Sequence, residues 1–250
     1  MASGKSNRLQ EEAMSVSTSS AQPRGMKAEL GPARFVSEPA ALGLAAFALS
    51  TMVLSIVNVG ILDDVDAPVV LGLALAYGGI VQLLAGMWAF IKNDTFAAVA
   101  LSSYGGFWIS FYLLQSQFLG KIPADHQAGA LALYLFSWAV FSFYMWIASF
   151  RVSIAVQAVF LTLWPAYVLL GLGKALGSDL LFELGGAFGI ATAACAWYTS
   201  AAIVLNKTFA RDVLPMGELR AVQQDTSDAP AGAVVGNGPT TRTPVGTNAR

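Results

Sequence analysis

Charged residues are scarce in this 250-residue chain: Asp, Glu, Lys and Arg together make up 12% of it. A soluble domain averages about 25% charged residues, so the shortage excludes an ordinary globular domain with a water-facing surface. Hydrophobic residues supply 56% of the chain, and its mean hydropathy is +0.60. The net charge of −1 offers no basic surface, so no nucleic-acid partner is expected. The composition indicates a membrane protein.

Cysteine and histidine occur once each. The single cysteine, Cys195, excludes an intrachain disulfide and any cysteine cluster. The single histidine, His126, stands beside Asp125, and these two residues are too few to hold a metal ion. The sequence therefore predicts no metal site and no cofactor.

The few charges are also unevenly placed along the chain. Six windows of 22 to 26 residues contain no Asp, Glu, Lys, Arg or His, namely 39–62, 67–91, 95–120, 127–150, 152–173 and 184–206. A helix needs about 20 residues to cross the bilayer core. We therefore predict an all-α membrane protein whose six transmembrane helices form a bundle. The predicted domains are a disordered tail over 1–34, the membrane domain over 35–218 and a second disordered tail over 219–250.

Basic residues divide unequally between the two sides of the predicted bundle. Twelve of the fourteen lie in the two tails and in the second and fourth connections, and only Lys121 and Lys174 lie on the opposite side. Cytoplasmic loops are enriched in Lys and Arg. Both tails are therefore predicted to be cytoplasmic.

Polar residues inside the predicted spans are neutral. No window holds an ionisable carboxylate, lysine, arginine or histidine, which excludes membrane proteases built on paired aspartates and pumps with a buried carboxylate relay. Amides and hydroxyls can instead bond a small solute weakly enough to let it pass. The polar candidates for a pore lining are Thr51, Asn58, Gln82, Ser102, Ser103 and Thr162.

Three classes of function remain open from these residues alone. The first is a transporter or channel for a small solute. The second is a structural membrane protein, in which small residues such as Gly78 and Gly86 only allow helices to pack closely. The third is a membrane enzyme with catalytic groups in its loops, and the short loops offer few candidates for it.

Several ordered motifs between about residues 37 and 218 resemble the acetate uptake transporter family, also known as the succinate–acetate permeases. The matching segments are 38–44 (EPAALGL), 58–60 (NVG), 77–82 (YGGIVQ), 85–87 (AGM), 93–96 (NDTF), 103–108 (SYGGFW), 205–206 (LN), 209–211 (FAR) and 213–218 (VLPMGE). Glu38 stands where the family signature has Asn, and Ala41 where it has Pro. A carboxylate at position 38 can still cap the first helix, but it is expected to repel an anion near the cytoplasmic mouth.

The resemblance implies a homo-hexamer in the plasma membrane, with one pore through each six-helix protomer. It also implies a hydrophobic constriction at Phe47, Tyr104 and Leu163, and a small pore-side residue at Ala196. The expected function is passage of acetate and related short carboxylates, including succinate, and not enzymatic catalysis. The alternatives are a channel for ammonia or another small solute and a non-transporting structural protein. Passive and proton-coupled passage both stay open.

Overall fold

The computed structural model describes residues 36–62 and 68–219. These residues form six helices of at least 20 residues, each apolar enough to cross a membrane. Twenty helical residues span about 30 Å, the thickness of a bilayer core. In chain order the helices are α1 (Pro39–Asn58), α2 (Pro68–Ile91), α3 (Thr95–Lys121), α4 (Ala124–Ser149), α5 (Ile154–Leu176) and α6 (Asp179–Phe209). The predicted all-α fold with six transmembrane helices is confirmed. The predicted tails lie outside the described residues, apart from Leu219.

Three of the helices begin where a polar side chain satisfies one of the first backbone N–H groups. Asp94, Ser153 and Ser178 each accept a hydrogen bond from the backbone three residues later, at the starts of α3, α5 and α6. α4 and α6 also start before their charge-free windows. Asp125 and Asp179 occupy the first turns of these two helices, where a carboxylate complements the helix dipole.

Glycines bring the packed helices close together. α6 packs along α1 and α5, α4 along α5, and α2 along α3. At Gly86 an added Cβ would lie 2.5 Å from the backbone nitrogen of Ser102 on α3, and at Gly78 it would lie 2.9 Å from the ring of Trp108. Both glycines therefore lie where a side chain would force neighbouring helices apart, as their spacing on α2 predicts.

α2 is interrupted by a π-helical turn at Ala76–Val81, which overlaps the YGGIVQ motif at 77–82. Such turns are often found at functional sites because they rotate the residues that follow. The turn ends immediately before Gln82, which is completely buried.

Candidate solute pathway

A cavity of about 680 Å³ opens at one end of the bundle and extends towards its middle. Its mouth is formed by the starts of α1, α3 and α5, by the end of α6 and by the chain that follows α6. Six charged side chains line this mouth, namely Glu38, Asp94, Lys207, Arg211, Asp212 and Glu218. The rest of the lining is mostly apolar, and its large residues include Leu44, Phe47, Phe96, Leu101, Tyr104, Val156, Val159, Phe160 and Leu163.

Four residues from four helices line the cavity at the same depth. Phe47, Gln82, Tyr104 and Leu163 each lie eight or nine residues from the helix end nearest the mouth. At about 1.5 Å per residue this is about 12–14 Å into the helix, close to the middle of a bilayer core. The inner end of the cavity therefore lies at mid-membrane depth.

The structure brings the three residues of the predicted constriction together. The rings of Phe47 and Tyr104 have centroids 5.4 Å apart, and Leu163 belongs to the same buried cluster. Each of the three side chains is no more than 4% exposed. The cavity thus ends against an apolar wall built by α1, α3 and α5. The role of this wall as the narrowest point of a pore stays a prediction.

Tyr104 is held in place by residues of α4. Its hydroxyl lies 2.8 Å from Ser142 Oγ on α4, and Ser142 in turn donates to the carbonyl of Trp138. The rings of Trp138 and Phe141 also pack on Tyr104, with centroids 6.0 and 5.2 Å away. The hydroxyl is therefore engaged within the protein. Sequence analysis missed Ser142, because α4 carries several serine hydroxyls, those of Ser137 and Ser149 among them, and residue type does not single out Ser142.

Gln82 carries an unpaired amide at the inner end of the cavity. The residue is 0% exposed, and neither Oε1 nor Nε2 has a hydrogen-bond partner among the described residues. A buried amide without a partner costs about 1–3 kcal/mol. The two amide atoms have almost no exposed surface, so a polar solute can bond them and recover this cost once the surrounding side chains move aside. Of the six polar candidates, Gln82 is the one that lines this cavity.

The other candidates lie outside the cavity lining. Asn58 is half-buried at the far end of α1, and Ser103 is half-buried on α3. Thr162 donates to carbonyls of its own helix and accepts from Thr192 on α6 at 2.9 Å. The remaining residues are Thr51 and Ala196, which are buried, and Ser102, which is half-buried. The hydroxyl oxygens of Thr51 and Ser102 have no partner among the described residues, and Ala196 belongs to the same cluster as Phe47, Tyr104 and Leu163.

The segment that follows α6 forms part of the mouth. We call residues 210–218 the mouth strap. Asn206 anchors it with three hydrogen bonds: its Oδ1 accepts from the amides of Val213 and Leu214, and its Nδ2 donates to the Leu214 carbonyl. The amides of Ile154 and Ala155, at the start of α5, donate to the strap carbonyls of Gly217 and Met216. In the sequence these residues were recognised only as matches to the family motifs, and their contact with the start of α5 was not predicted.

Comparisons with known proteins agree with this geometry. The sequence profile of the GPR1/FUN34/yaaH family matches residues 21–219. Acetate permease A of Emericella nidulans is 37% identical over 199 residues, covering 74% of this chain and 67% of the relative. The succinate-acetate/proton symporter SatP of Escherichia coli K12 is 35% identical over 186 residues, covering 73% of this chain and 96% of the relative. The solved structure of the bacterial acetate channel SatP is similar with a TM-score of 0.68 and 34% identity, covering 73% of this chain and 99% of that chain.

Proposed function

Because the chain belongs to the GPR1/FUN34/yaaH family, we propose that it is a membrane channel for acetate and related short carboxylates, including succinate, and not an enzyme. The observation that carries the proposal is the cavity that ends at mid-membrane depth against Phe47, Tyr104 and Leu163, with the free amide of Gln82 beside them. The names of the two relatives and of the solved structure point to the same substrates.

The inner end of the cavity suits a solute with one polar and one apolar end. An apolar constriction excludes hydrated ions because it cannot replace their water. Acetate loses less there, since its methyl group needs no hydration and its carboxylate can accept a hydrogen bond from Gln82 Nε2. A neutral amide also holds the anion more weakly than a lysine or arginine would. Weak binding favours rapid passage.

Passage is proposed to be channel-like. The charged residues that line the cavity are at its mouth, and the lining at the depth of Gln82 and Tyr104 has no carboxylate, lysine, arginine or histidine. A proton can therefore cross as part of the undissociated acid, but not by a relay of acidic side chains at this depth. A proton ionophore should leave acetate exchange at equal internal and external pH unchanged; strict dependence on a pH gradient would contradict this part of the proposal.

Both termini, and with them the cavity mouth, are proposed to face the cytoplasm, and the protein to assemble as a hexamer in the plasma membrane. The basic residues Lys92, Arg151, Lys207 and Arg211 lie near the mouth end of the helices, which supports this orientation. In a Cys195→Ala background, an impermeant thiol reagent outside intact cells should label Asp125→Cys and not Arg151→Cys. The opposite pattern would reverse the orientation. The mass of the detergent-purified assembly tests the hexamer.

Uptake of radiolabelled acetate into liposomes containing the purified protein tests the main proposal. Gln82→Leu should lower acetate flux about tenfold, the effect of losing one hydrogen bond of about 1.4 kcal/mol. Gln157→Leu is the matched control, since Gln157 is a half-buried amide on α5 outside the cavity lining. Flux of methylammonium without flux of acetate would favour the ammonia alternative. No flux of either solute through the folded protein would favour a structural role.

A further inference from the structure

Glu38 and Lys92 form an ion pair at the mouth of the cavity. Lys92 Nζ lies 2.6 Å from Glu38 Oε2, and the two side chains are 25% and 26% exposed. Glu38 directly precedes α1 and Lys92 directly follows α2. The Glu38 carboxylate does not cap α1, contrary to the expectation from the sequence, because it accepts its hydrogen bond from Lys92 instead.

The pair changes the charge that a solute meets at the mouth. The charged residues that line the cavity there are four acids and two bases, and Glu38 is one of the acids. Lys92 is outside the lining but cancels the charge of Glu38 at contact distance. The negative charge of Asp94 is offset in a different way. Its carboxylate accepts a hydrogen bond from the Ala97 amide, at the N-terminus of α3, where the helix dipole is positive.

We propose that Lys92 is a positioning residue that neutralises Glu38 and thereby admits carboxylates to the mouth in their anionic form. This inference rests on the proposed function. Without Lys92, the bare Glu38 carboxylate would stand in the wall that every solute passes. Partly shielded charges act on an anion within about 8–10 Å at physiological salt, and the repulsion doubles for a dianion. The pair therefore contributes to the choice between mono- and dicarboxylates.

The test measures half-saturation concentrations for acetate and succinate uptake at low and high salt. Lys92→Gln should raise the value for acetate about two- to fivefold and the value for succinate further, with the maximal rate little changed. Glu38→Gln should lower both values, because Lys92 then stands uncompensated beside the mouth. The Glu38→Gln/Lys92→Gln double variant should return close to the original protein. High salt should shrink all of these differences.

Arg151→Gln is the matched control, because Arg151 is an exposed cation near the same end of the bundle and outside the cavity lining. It should leave both half-saturation values unchanged. If Lys92→Gln does not fold, Glu38→Gln alone still tests the inference, because it is expected to gain apparent affinity for both solutes.

Changes of the same sign in Glu38→Gln and Lys92→Gln would show that the pair only ties α1 to α2, and would overturn the inference. Half-saturation concentrations unaffected by either substitution would also overturn it, because the solute would then cross the mouth in its protonated, neutral form. Absence of carboxylate flux through the unmodified protein would overturn the proposed function itself. The two failures are distinguishable, because only the second removes flux from every variant and the control.

Discussion

The hydroxyl of Tyr104 lies 2.8 Å from Ser142 Oγ, which joins the predicted constriction on α3 to a helix that does not line the cavity. Ser142 Oγ donates its own proton to the Trp138 carbonyl, also at 2.8 Å, so the Tyr104 hydroxyl is the donor in the first bond. The ring of Tyr104 is thereby fixed against Phe47. The geometry of the constriction therefore depends on a residue behind it.

Ser142→Ala should loosen Tyr104. The lost hydrogen bond should lower the free energy of unfolding by about 1 kcal/mol. A looser Tyr104 should also raise the ratio of lactate flux to acetate flux. Ser137→Ala is the control on the same helix, because Ser137 is exposed and its hydroxyl donates to the Leu133 carbonyl of its own helix. Tyr104→Phe removes the same bond, so the double variant should cost little more than either single one. Fully additive costs would show that the two residues are not coupled.

Absence of charge was enough to predict the six helices, because a membrane span must be apolar over about 20 residues. The positions of the helix ends were harder to predict from the sequence. α4 and α6 extend past their windows to include Asp125 and Asp179, since a charge in the first turn can both cap a helix and face water.

The cavity was only partly predictable. Phe47, Tyr104 and Leu163 were identified through family motifs, and the structure places them together. The polar candidates were chosen by residue type, which does not indicate the direction of a side chain. Ser102 instead packs against Gly86 and Thr162 bonds Thr192, whereas Gln82 lines the cavity. The direction depends on how α2 and α3 pack and on the π-helical turn before Gln82, which composition does not show.

Adjacent glycines on α3 should respond differently to the same substitution. A Cβ at Gly105 would lie 2.6 Å from the backbone nitrogen of Leu83, whereas at Gly106 it would meet nothing within 4 Å. Gly105→Ala should separate α2 from α3 and lower stability by about 1–3 kcal/mol. Gly106→Ala should be neutral or slightly stabilising, because Ala favours helix over Gly by up to about 1 kcal/mol. Thermal unfolding in detergent measures both, and equal effects would contradict the close packing of Gly105 against Leu83.

Asn206→Ala should release the mouth strap. The substitution removes all three hydrogen bonds to Val213 and Leu214. Hydrogen exchange should become faster at the amides of these two residues and, because the strap also holds the start of α5, at Ile154. Asn206→Asp keeps the acceptor and loses the donor, so its exchange rates should fall between those of the original protein and Asn206→Ala. Unchanged protection at Ile154 in Asn206→Ala would show that the strap is held mainly by α5.

Leu163→Ala should widen the predicted constriction. Loss of the side chain opens space beside Phe47 and Tyr104 at the inner end of the cavity, so lactate and succinate should gain flux relative to acetate. Truncation of a buried leucine also costs about 2–5 kcal/mol, and the assembled fraction must therefore be measured with the flux.

Leu161→Ala controls for the substitution itself, because Leu161 lies two residues away on α5 and is 48% exposed. It should leave the ratio of lactate to acetate flux unchanged. Leu163→Met, with a similar volume, should also keep the original ratio, since it fills the same space beside Tyr104. If the ratio of lactate to acetate flux changes in folded Leu163→Ala but not in the two control variants, Leu163 sets the size limit of the pore. If all fluxes instead fall in parallel with the amount of folded protein, Leu163 is a core residue that stabilises the bundle and does not select the solute.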